Sequence, residues 1–404
     1  MALGRRVIPR RVFAALQPAY HASLALLAAL WYGFPSRRLK VVAVTGTKGK
    51  STVVELAAAI LEEAGFKTAS LSTIQFKIGE RVERNRYKMT TPGRFFVQKF
   101  LRDAVRAGCR YAVVEMTSEA ARQYRHAFIE LDALIFTNLS PEHLESHGSY
   151  EAYRDAKLSL VRALERSPKR PRAVVANVGD KEGWRFLEAR VEKKIPYQLE
   201  NGGARFETKL EGAFNQENIL AAVTFAQHIG IAEEVARRAV ARVAYIPGRV
   251  EFVREGQAFD AVVDYAHTPD SLEKLYQAFP HRRKICVLGN TGGGRDAWKR
   301  PEMGRIAERY CDEIILTNED PYDEPPEKIV REMAAGMKDK KPTIIMARRE
   351  AIRAALKRAR AGDAVLITGK GTDPYIMGAY GAKVTWDDRE VVREELRKIN
   401  ILSR

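Results

Sequence analysis

The sequence predicts an α/β protein with two mostly parallel sheet domains that follow a short helical N-terminal segment. Two observations lead to this fold class. Short runs of β-branched and aliphatic residues alternate with helical patterns from Leu39 onward. The alternation then breaks at Pro247-Gly248 and restarts beyond it. We therefore place a domain boundary at Tyr245 and divide the 404 residues into segments 1–38, 39–244 and 245–404.

The first segment contains an apolar stretch from Val12 to Phe34, bordered on both sides by arginine and lysine. Its uninterrupted apolar part, Leu24 to Phe34, is shorter than the roughly 20 residues that a membrane helix needs. No small-residue cleavage site follows, which argues against a signal peptide. Two interpretations stay open: a helix packed on the next domain, or an interfacial anchor in peripheral contact with a membrane through residues 12–34.

The central segment reads as a sheet with helical connections. A helix over 51–63 is stopped by Gly65, and further helices are predicted over 95–107 and 150–165. Buried strands are predicted at 39–44, 68–72, 111–115, 133–137 and 173–176.

The last segment begins with a hairpin that turns at Glu255-Gly256, between strands at 250–253 and 258–263. Further strands, separated by helices, are predicted at 284–288, 313–316, 343–346 and 364–368. This order is typical of a Rossmann-like, doubly wound domain.

Composition excludes several classes of protein. The net charge of +17 is spread among 51 acidic residues without an aromatic and basic RNA motif, so we predict no nucleic-acid partner and instead a phosphorylated substrate or an anionic membrane. The three cysteines, Cys109, Cys286 and Cys311, lie far apart in the sequence, which predicts neither a disulfide nor a cysteine metal site. A reducing cytoplasm fits this pattern, with membrane association added if the anchor interpretation holds.

A glycine-rich loop joins the first strand to the first helix of the central segment. Its backbone N–H groups and the helix N-terminus can cradle phosphate, so the central domain is of the P-loop type. Lys50 would meet the terminal phosphates, and the Ser51 hydroxyl would bind Mg²⁺. The glycine spacing, G-x-x-G-K-S, is tighter than that of the common P-loop. The loop reads Thr45-Gly46-Thr47-Lys48-Gly49-Lys50-Ser51-Thr52.

This loop resembles the T-G-T-x-G-K-[ST] loop of the Mur ligases, especially the UDP-N-acetylmuramoyl-tripeptide synthetases. Further matches follow in the family's order from residue 39 to residue 373. The resemblance implies that ATP is bound by Gly46, Thr47, Lys48, Gly49, Lys50, Ser51 and Thr52. Tripeptide synthetases usually carry a separate N-terminal domain for the UDP-sugar, and 38 residues before the first strand are too few for one.

The resemblance also implies a catalytic centre with two Mg²⁺ ions. Glu115, which ends a buried strand in Val113-Val114-Glu115-Met116-Thr117-Ser118, would be a metal ligand beside Ser51. His143, in Asn138-Leu139-Ser140-Pro141-Glu142-His143, would ligate the second ion. Lys157 would carry a carbamate, which converts a cation that repels Mg²⁺ into an anion that binds it. Lys50, His143 and Lys157 are therefore the predicted catalytic residues.

Other matches imply substrate contacts. Thr90 and Thr91, in a T-T-P segment, together with Ser118 would face the peptidyl acceptor, although Glu119 follows where the family has histidine. Asp320, Lys370 and Asp373 would hold the incoming amino acid. The segment Glu319-Asp320-Pro321-Tyr322 stands where diaminopimelate-adding enzymes carry D-N-P-R, and this departure speaks against assigning diaminopimelate from the sequence. Further nucleotide contacts fall to Asn215, Asn218, Arg249, Asp264, His267 and Arg295.

These expectations describe an ATP-dependent ligase that activates a carboxylate as an acyl phosphate and couples it to an amine. The partners would be ATP, a peptidyl or muramoyl-peptide acceptor and an amino acid. Closure of the two domains around ATP would exclude water from the acyl phosphate. Two alternatives stay open: a folylpolyglutamate-like or amino-acid-polymerising ligase, and, from a different class, a P-loop nucleotide switch or kinase.

Overall fold

The computed structural model describes residues 10–142, 144–199 and 206–402. The chain divides into two compact units. The first unit comprises Met1–Ser140, Ser149–Phe206 and Glu217–Val240, and the second comprises Pro141–Gly148, Glu207–Gln216 and Ala241–Arg404. The boundaries that we place at 38/39 and 244/245 stay predictions.

The helices are α1 (Arg10–Tyr32), α2 (Lys50–Glu63), α3 (Arg94–Arg106), α4 (Ser118–Arg122), α5 (Leu144–His147), α6 (Tyr150–Glu165), α7 (Gly183–Leu187), α8 (Ala213–His228), α9 (Glu233–Arg242), α10 (Pro269–Gln277), α11 (Lys299–Tyr310), α12 (Pro326–Ala334), α13 (Arg348–Arg358) and α14 (Asp388–Leu402). The strands are β1 (Lys40–Thr45), β2 (Thr68–Leu71), β3 (Gln75–Ile78), β4 (Arg81–Arg84), β5 (Tyr111–Glu115), β6 (Ala133–Phe136), β7 (Ala173–Asn177), β8 (Lys193–Tyr197), β9 (Glu251–Val253), β10 (Asp260–Val263), β11 (Lys284–Leu288), β12 (Glu313–Leu316), β13 (Thr343–Ile344), β14 (Ala364–Ile367), β15 (Tyr375–Met377) and β16 (Lys383–Thr385).

An eight-stranded sheet forms the core of the first unit, in the order β4-β3-β2-β5-β1-β6-β7-β8. All pairs from β2 to β8 are parallel, and β3 and β4 add an antiparallel hairpin at one edge. Strand β1 is buried from Val41 onward because helices cover both faces of the sheet. The chain places β2 and β5 on one side of β1 and β6 on the other. A switch of this kind opens a ligand crevice at the carboxyl ends of the strands.

The second unit contains a six-stranded sheet in the order β13-β12-β11-β14-β10-β9. Only its β9–β10 pair is antiparallel, which is the predicted hairpin. Strand β14 is the last strand of this sheet in the chain, yet it lies between β10 and β11. Because β10, β11, β12 and β14 run parallel to one another, the segments that follow them leave the same edge of the sheet. The predicted α/β fold class is confirmed in both units.

Helix α1 packs on α3 with one face through small residues, because Ala25, Ala28 and Ala29 are buried. The opposite face exposes large apolar side chains at helical spacing. This exposed stripe consists of Leu16, Tyr20, Leu26, Leu27, Leu30 and Trp31. Among the helices in the described part of the chain, none has the length and apolar character required to traverse a bilayer.

The prediction that the cysteines form no disulfide was wrong. Cys286 on β11 and Cys311 after α11 form a disulfide, with their Cα atoms 6.1 Å apart, while Cys109 is free and buried. The two bonded residues are 25 positions apart in the sequence. They meet because β12, which begins two residues after Cys311, pairs with β11, a proximity that cysteine spacing alone does not reveal.

Candidate active site

The glycine-rich loop lies between β1 and α2 and leaves no room for side chains at two glycines. Gly46 has φ 148° and Gly49 has φ 82°, which are values that L-residues rarely adopt. A Cβ on Gly46 would come within 2.0 Å of Thr137 Oγ1, and one on Gly49 within 2.1 Å of Asn218 Oδ1. Helix α2 begins directly after Gly49, so its free N–H groups and positive dipole end follow the loop.

Residues after β6 hold this loop in place. The Thr47 N–H donates to the Asn138 carbonyl at 2.8 Å, and the Lys48 N–H donates to Asn138 Oδ1 at 2.8 Å. Thr137 Oγ1 donates to the Lys48 carbonyl at 2.7 Å. Hydrogen bonds between the loop and a neighbouring strand end therefore fix the shape of the loop that is predicted to bind phosphate.

The carboxylate of Glu115 is the centre of a buried hydrogen-bond network. Ser51 Oγ donates to Glu115 Oε2 at 2.8 Å, and the Thr73 N–H donates to the same oxygen at 2.8 Å. Lys50 Nζ lies 3.9 Å from Glu115 Oε1 and donates to the Thr47 carbonyl at 2.9 Å. The predicted phosphate-binding lysine and two predicted metal ligands therefore lie together at the ends of β1 and β5.

Lys157 is buried on α6 and points at the same loop. Its Nζ donates to the Gly46 carbonyl at 2.6 Å and lies 4.7 Å from the centre of the Tyr153 ring. Tyr153 in turn shares a hydrogen bond of 3.0 Å with Thr47 Oγ1. Lysines are rarely fully buried unless they are paired, and here the partners are a backbone oxygen and an aromatic face.

The predicted acceptor residues join this network through Thr73. Thr73 Oγ1 shares a hydrogen bond of 2.8 Å with Thr90 Oγ1 and donates to Glu115 at 3.1 Å. Thr91 Oγ1 donates to the Glu115 carbonyl at 2.7 Å. Ser118 is buried in the first turn of α4. A continuous path of hydrogen bonds thus connects Thr90 with Ser51.

Sequence reasoning missed Thr73 and a group of polar residues beside Thr91. Arg125 donates to the Thr91 carbonyl, and its Nη2 donates to Gln123 Oε1 at 2.7 Å. Arg94 Nη2 donates to the Gln123 carbonyl at 2.5 Å. These residues lie outside the glycine-rich loop and outside the strand-end motifs described above. The available signal was basic residues within a few positions of Thr91 and Ser118.

In the second unit, the predicted amino-acid residues form a buried charge cluster. Lys370 Nζ donates to both carboxylate oxygens of Asp320 and to Asp373 Oδ2, each at 2.9 Å. Burial works to lower the pKa of Lys370, but the carboxylates of Asp373 and Asp320 outweigh it and raise that pKa. Burial and the adjacent Asp320 raise the pKa of Glu319, whose Oε2 has no hydrogen-bond partner among the described residues.

The predicted nucleotide residues of the second unit occupy the strand ends and the adjoining segments. Asp264, directly after β10, accepts the Val250 N–H at 2.8 Å and the Ala266 N–H at 2.6 Å. His267 Nδ1 donates to the Tyr265 carbonyl at 2.7 Å, and His267 Nε2 lies 3.0 Å from Glu142 Oε1.

Two arginines of this unit stack on aromatic rings. The guanidinium of Arg249 lies 4.4 Å from the Tyr265 ring centre, and that of Arg295 lies 5.1 Å from the Tyr322 ring centre. Arg295 is thereby placed beside the residue that stands where diaminopimelate-adding enzymes have arginine.

The remaining predicted site residues lie as follows. Thr52 is buried in the first turn of α2, and Asn218 belongs to the first unit, where it approaches Gly49. Asn215 belongs to the second unit and donates to the Glu211 carbonyl at 2.7 Å. His143 lies outside the described residues.

Magnesium fits the donors at the loop. Mg²⁺ prefers oxygen ligands and is usually held by one or two carboxylates together with substrate phosphates. The Ser51 hydroxyl and the Glu115 carboxylate are such donors, 2.8 Å apart. No group of three or more His, Cys, Asp or Glu side chains with metal-site geometry occurs in the described ranges.

Comparison with known proteins identifies the family of the chain. Residues 44–203 match the family model of the Mur ligase middle domain, and residues 248–371 match that of the Mur ligase glutamate ligase domain. A UDP-N-acetylmuramoyl-L-alanyl-D-glutamate–2,6-diaminopimelate ligase of Syntrophomonas wolfei is 38% identical, over 94% of this chain and 83% of the relative. A UDP-N-acetylmuramyl-tripeptide synthetase of Roseiflexus is also 38% identical, over 95% and 83%.

The fold is also similar to that of solved structures. A UDP-N-acetylmuramoyl-L-alanyl-D-glutamate–2,6-diaminopimelate ligase matches with a TM-score of 0.60 and 28% identity, over 90% of this chain and 79% of that chain. The folylpolyglutamate synthase of Mycobacterium tuberculosis matches with a TM-score of 0.69 over 87% and 92%, but at 16% identity it shares the fold alone. With both family models matched and relatives at 38% identity over nearly its whole length, the chain belongs to the Mur ligase family.

Proposed function

We propose that this protein uses ATP to join the amino group of an amino acid to a carboxylate of a muramoyl-peptide-type acceptor. The observation that carries the proposal is the hydrogen-bond path from Thr90 through Thr73 and Glu115 to Ser51. This path connects a residue that is predicted to contact the acceptor with residues that are predicted to bind phosphate and metal. The names of the 38% identical relatives support the same acceptor class.

In the proposed reaction, an acceptor carboxylate oxygen attacks the γ-phosphorus of ATP, and the bond to ADP breaks. The amine of the amino acid then attacks the acyl carbon, phosphate leaves, and the amine loses a proton as the amide forms. Lys50 and the N–H groups of the glycine-rich loop would hold the terminal phosphates and offset their developing charge. Bound Mg²⁺ would supply further charge neutralisation.

We assign one Mg²⁺ to Ser51 and Glu115, and a second to His143 and a carbamate on Lys157. Lys157 is buried beside the Gly46 carbonyl, where an unmodified ammonium would repel a metal ion. The second assignment therefore requires the carbamate. Carbamate formation joins the neutral Lys157 nitrogen to CO₂ with loss of a proton, and it replaces the cation with an oxygen-rich anion.

The second unit would bind the amino acid. Asp320 and Asp373 both accept hydrogen bonds from Lys370, and their carboxylates would also suit the ammonium group of an incoming amino acid. Tyr322 supplies no guanidinium for a distal carboxylate, and Arg295, whose guanidinium stacks on the Tyr322 ring, is assigned to ATP. Diaminopimelate and lysine therefore both belong in a substrate panel. We assign Asn215, Asn218, Arg249, Asp264, His267 and Arg295 to ATP.

The proposal is tested by phosphate release from ATP with Mg²⁺ and bicarbonate, across UDP-muramoyl peptides and candidate amino acids. We expect release to require both a muramoyl-peptide acceptor and an amino acid, with a product mass equal to their sum less water. Release that needs a folate and glutamate would instead identify a folylpolyglutamate-like ligase. Release that needs no amine would identify a nucleotide switch or kinase.

We also propose that the exposed stripe of α1 contacts an anionic membrane surface. Trp31 is 79% exposed, and Leu16, Leu27 and Leu30 are each more than half exposed, which is costly in water for adjacent large apolar groups. Exposed Arg37 and Arg38 follow the helix. Apolar side chains next to basic residues match the boundary between acyl chains and anionic headgroups.

Replacing Trp31 with Ser should lower co-sedimentation with phosphatidylglycerol-containing vesicles by about tenfold, because a large apolar side chain is lost from the interface. Trp184→Ser, at another exposed tryptophan of the same unit, is the matched control and should bind like the unmodified protein. Equal binding of Trp31→Ser and the control would refute membrane contact. A Trp31-dependent dimer without lipid would instead identify the stripe as an interface between two copies.

A further inference from the structure

Helix α1 carries a polar contact that its packing does not require. His21 Nδ1 lies 2.5 Å from Arg94 Nη2, at the first turn of α3. A guanidinium group only donates hydrogen bonds, so His21 accepts this one through an unprotonated Nδ1. Burial, followed by the charges of Arg94 and Arg125, lowers the pKa of His21, in agreement with a neutral ring. Helix α1 therefore reaches the polar group beside Thr91.

Two guanidinium groups converge there on one residue. Arg94 donates to the Gln123 carbonyl and Arg125 to the Gln123 side chain, so the two positive charges lie close together. Burial and the charge of Arg94 lower the pKa of Arg125, and Glu119 offsets this only in part. Placing like charges next to each other is unfavourable unless an anion joins them.

Arg94 also has unused hydrogen-bonding capacity. Its Nε is shielded from solvent and has no hydrogen-bond partner among the described residues. An unpartnered donor that is shielded from solvent is unfavourable, because it has lost its hydrogen bonds to water. The acceptors of Arg94 Nη2 are uncharged: an imidazole nitrogen and a backbone carbonyl. A carboxylate or phosphate oxygen would supply the missing charge and acceptor, and Arg is suited to both.

We propose that His21 and Arg94 are specificity-determining residues of the acceptor site, where with Arg125 they bind a carboxylate or phosphate of the acceptor. This inference rests on the proposed function, because Thr91, bonded to Arg125, is assigned to the acceptor. Helix α1 is then part of substrate recognition. His21 fixes the Arg94 guanidinium by accepting one of its hydrogen bonds.

The test measures kcat and KM for each substrate in Arg94→Gln and His21→Ala. We expect Arg94→Gln to raise the acceptor KM roughly 10- to 100-fold, the loss typical of a hydrogen bond to a charged group. His21→Ala should raise it less, because it removes only the residue that orients Arg94. The KM values for ATP and the amino acid should stay unchanged, and Arg94→Lys should recover part of the loss. Arg106→Gln, exposed in the last turn of the same helix, is the matched control.

Three acceptors distinguish the source of the anion: a UDP-linked muramoyl peptide, a lipid-pyrophosphate-linked one and the same peptide without phosphate. A KM increase confined to the phosphorylated acceptors would assign phosphate, and an equal increase for all three would assign carboxylate. Unchanged acceptor KM in Arg94→Gln, with the unmodified enzyme active, would overturn the inference alone. An inactive unmodified enzyme would instead count against the proposed function. Thermal melting of each variant checks that it folds.

Discussion

Lys157→Ala is expected to lower the rate of acceptor-dependent phosphate release by on the order of 10³-fold, because it removes one preorganised charge from the phosphoryl-transfer site. The side chain is buried, and its amine hydrogen-bonds the Gly46 carbonyl of the phosphate loop. With the proposed carbamate, the loss includes a metal ligand. The measurement is kcat for phosphate release at saturating ATP, acceptor and amino acid.

Two further variants separate a carbamate from a simple cation. Lys157→Arg keeps a positive charge and a donor for Gly46 but cannot form the carbamate, so it should be as inactive as Lys157→Ala. Lys157→Glu places a carboxylate near the carbamate position and should recover part of the activity. An active Lys157→Arg enzyme would contradict the metal-ligand role. Removal of bicarbonate and CO₂ should slow the unmodified enzyme and leave Lys157→Glu unaffected.

Glu115→Gln is the second large effect, with an expected loss of roughly 10²- to 10³-fold in kcat and a higher Mg²⁺ requirement. Glu115 accepts hydrogen bonds from the Ser51 hydroxyl and the Thr73 N–H. In Glu115→Gln, an amide NH₂ in place of that oxygen would face these two donors and could not accept their hydrogen bonds. The neutral amide also removes a negative charge that lies 3.9 Å from Lys50 and weakens a proposed Mg²⁺ ligand. The activity is measured against Mg²⁺ concentration.

Glu55→Gln is the matched control for this change. Glu55 lies on α2 and accepts hydrogen bonds from Ser72 and Gln75, and burial raises its pKa to about 7. Its replacement by a neutral isostere should therefore leave the Mg²⁺ dependence unchanged. If Glu115→Gln retained full activity at ordinary Mg²⁺ concentrations, Glu115 would be a structural acceptor for Ser51 and Thr73 rather than a metal ligand.

The strands that build the sheets were predictable because burial on both faces leaves a strong pattern. Strand β5 was predicted with the bounds that the structure has, and β1 within one residue. The two edge strands of the eight-stranded sheet were missed. Strand β4 is mostly exposed, and β8 contains Pro196 and two lysines, so neither sequence resembles a buried strand. The hydrophobic pattern of a strand reflects how far it is buried, and these two strands are buried only in small part.

Residues within motifs could be found from the sequence, whereas those acting through distant partners could not. Lys50 and Ser51 lie in a loop whose spacing predicts phosphate binding. Thr73 contacts Glu115 across 42 positions, and His21 contacts Arg94 across 73. Only the folded chain brings such pairs together. The roles of the site residues stay predictions, since the structure supplies positions and not chemistry.

The central place of β1 has a consequence for the native-state dynamics of this protein. Its backbone is paired on both sides, with β5 and β6, and buried from Val41 to Thr45. Amide hydrogens in such a strand exchange with solvent only when most of the sheet opens. We therefore expect β1 to be among the slowest-exchanging strands, and the glycine-rich loop that follows it is also hydrogen-bonded to Thr137 and Asn138. ATP would then bind without a large ordering penalty.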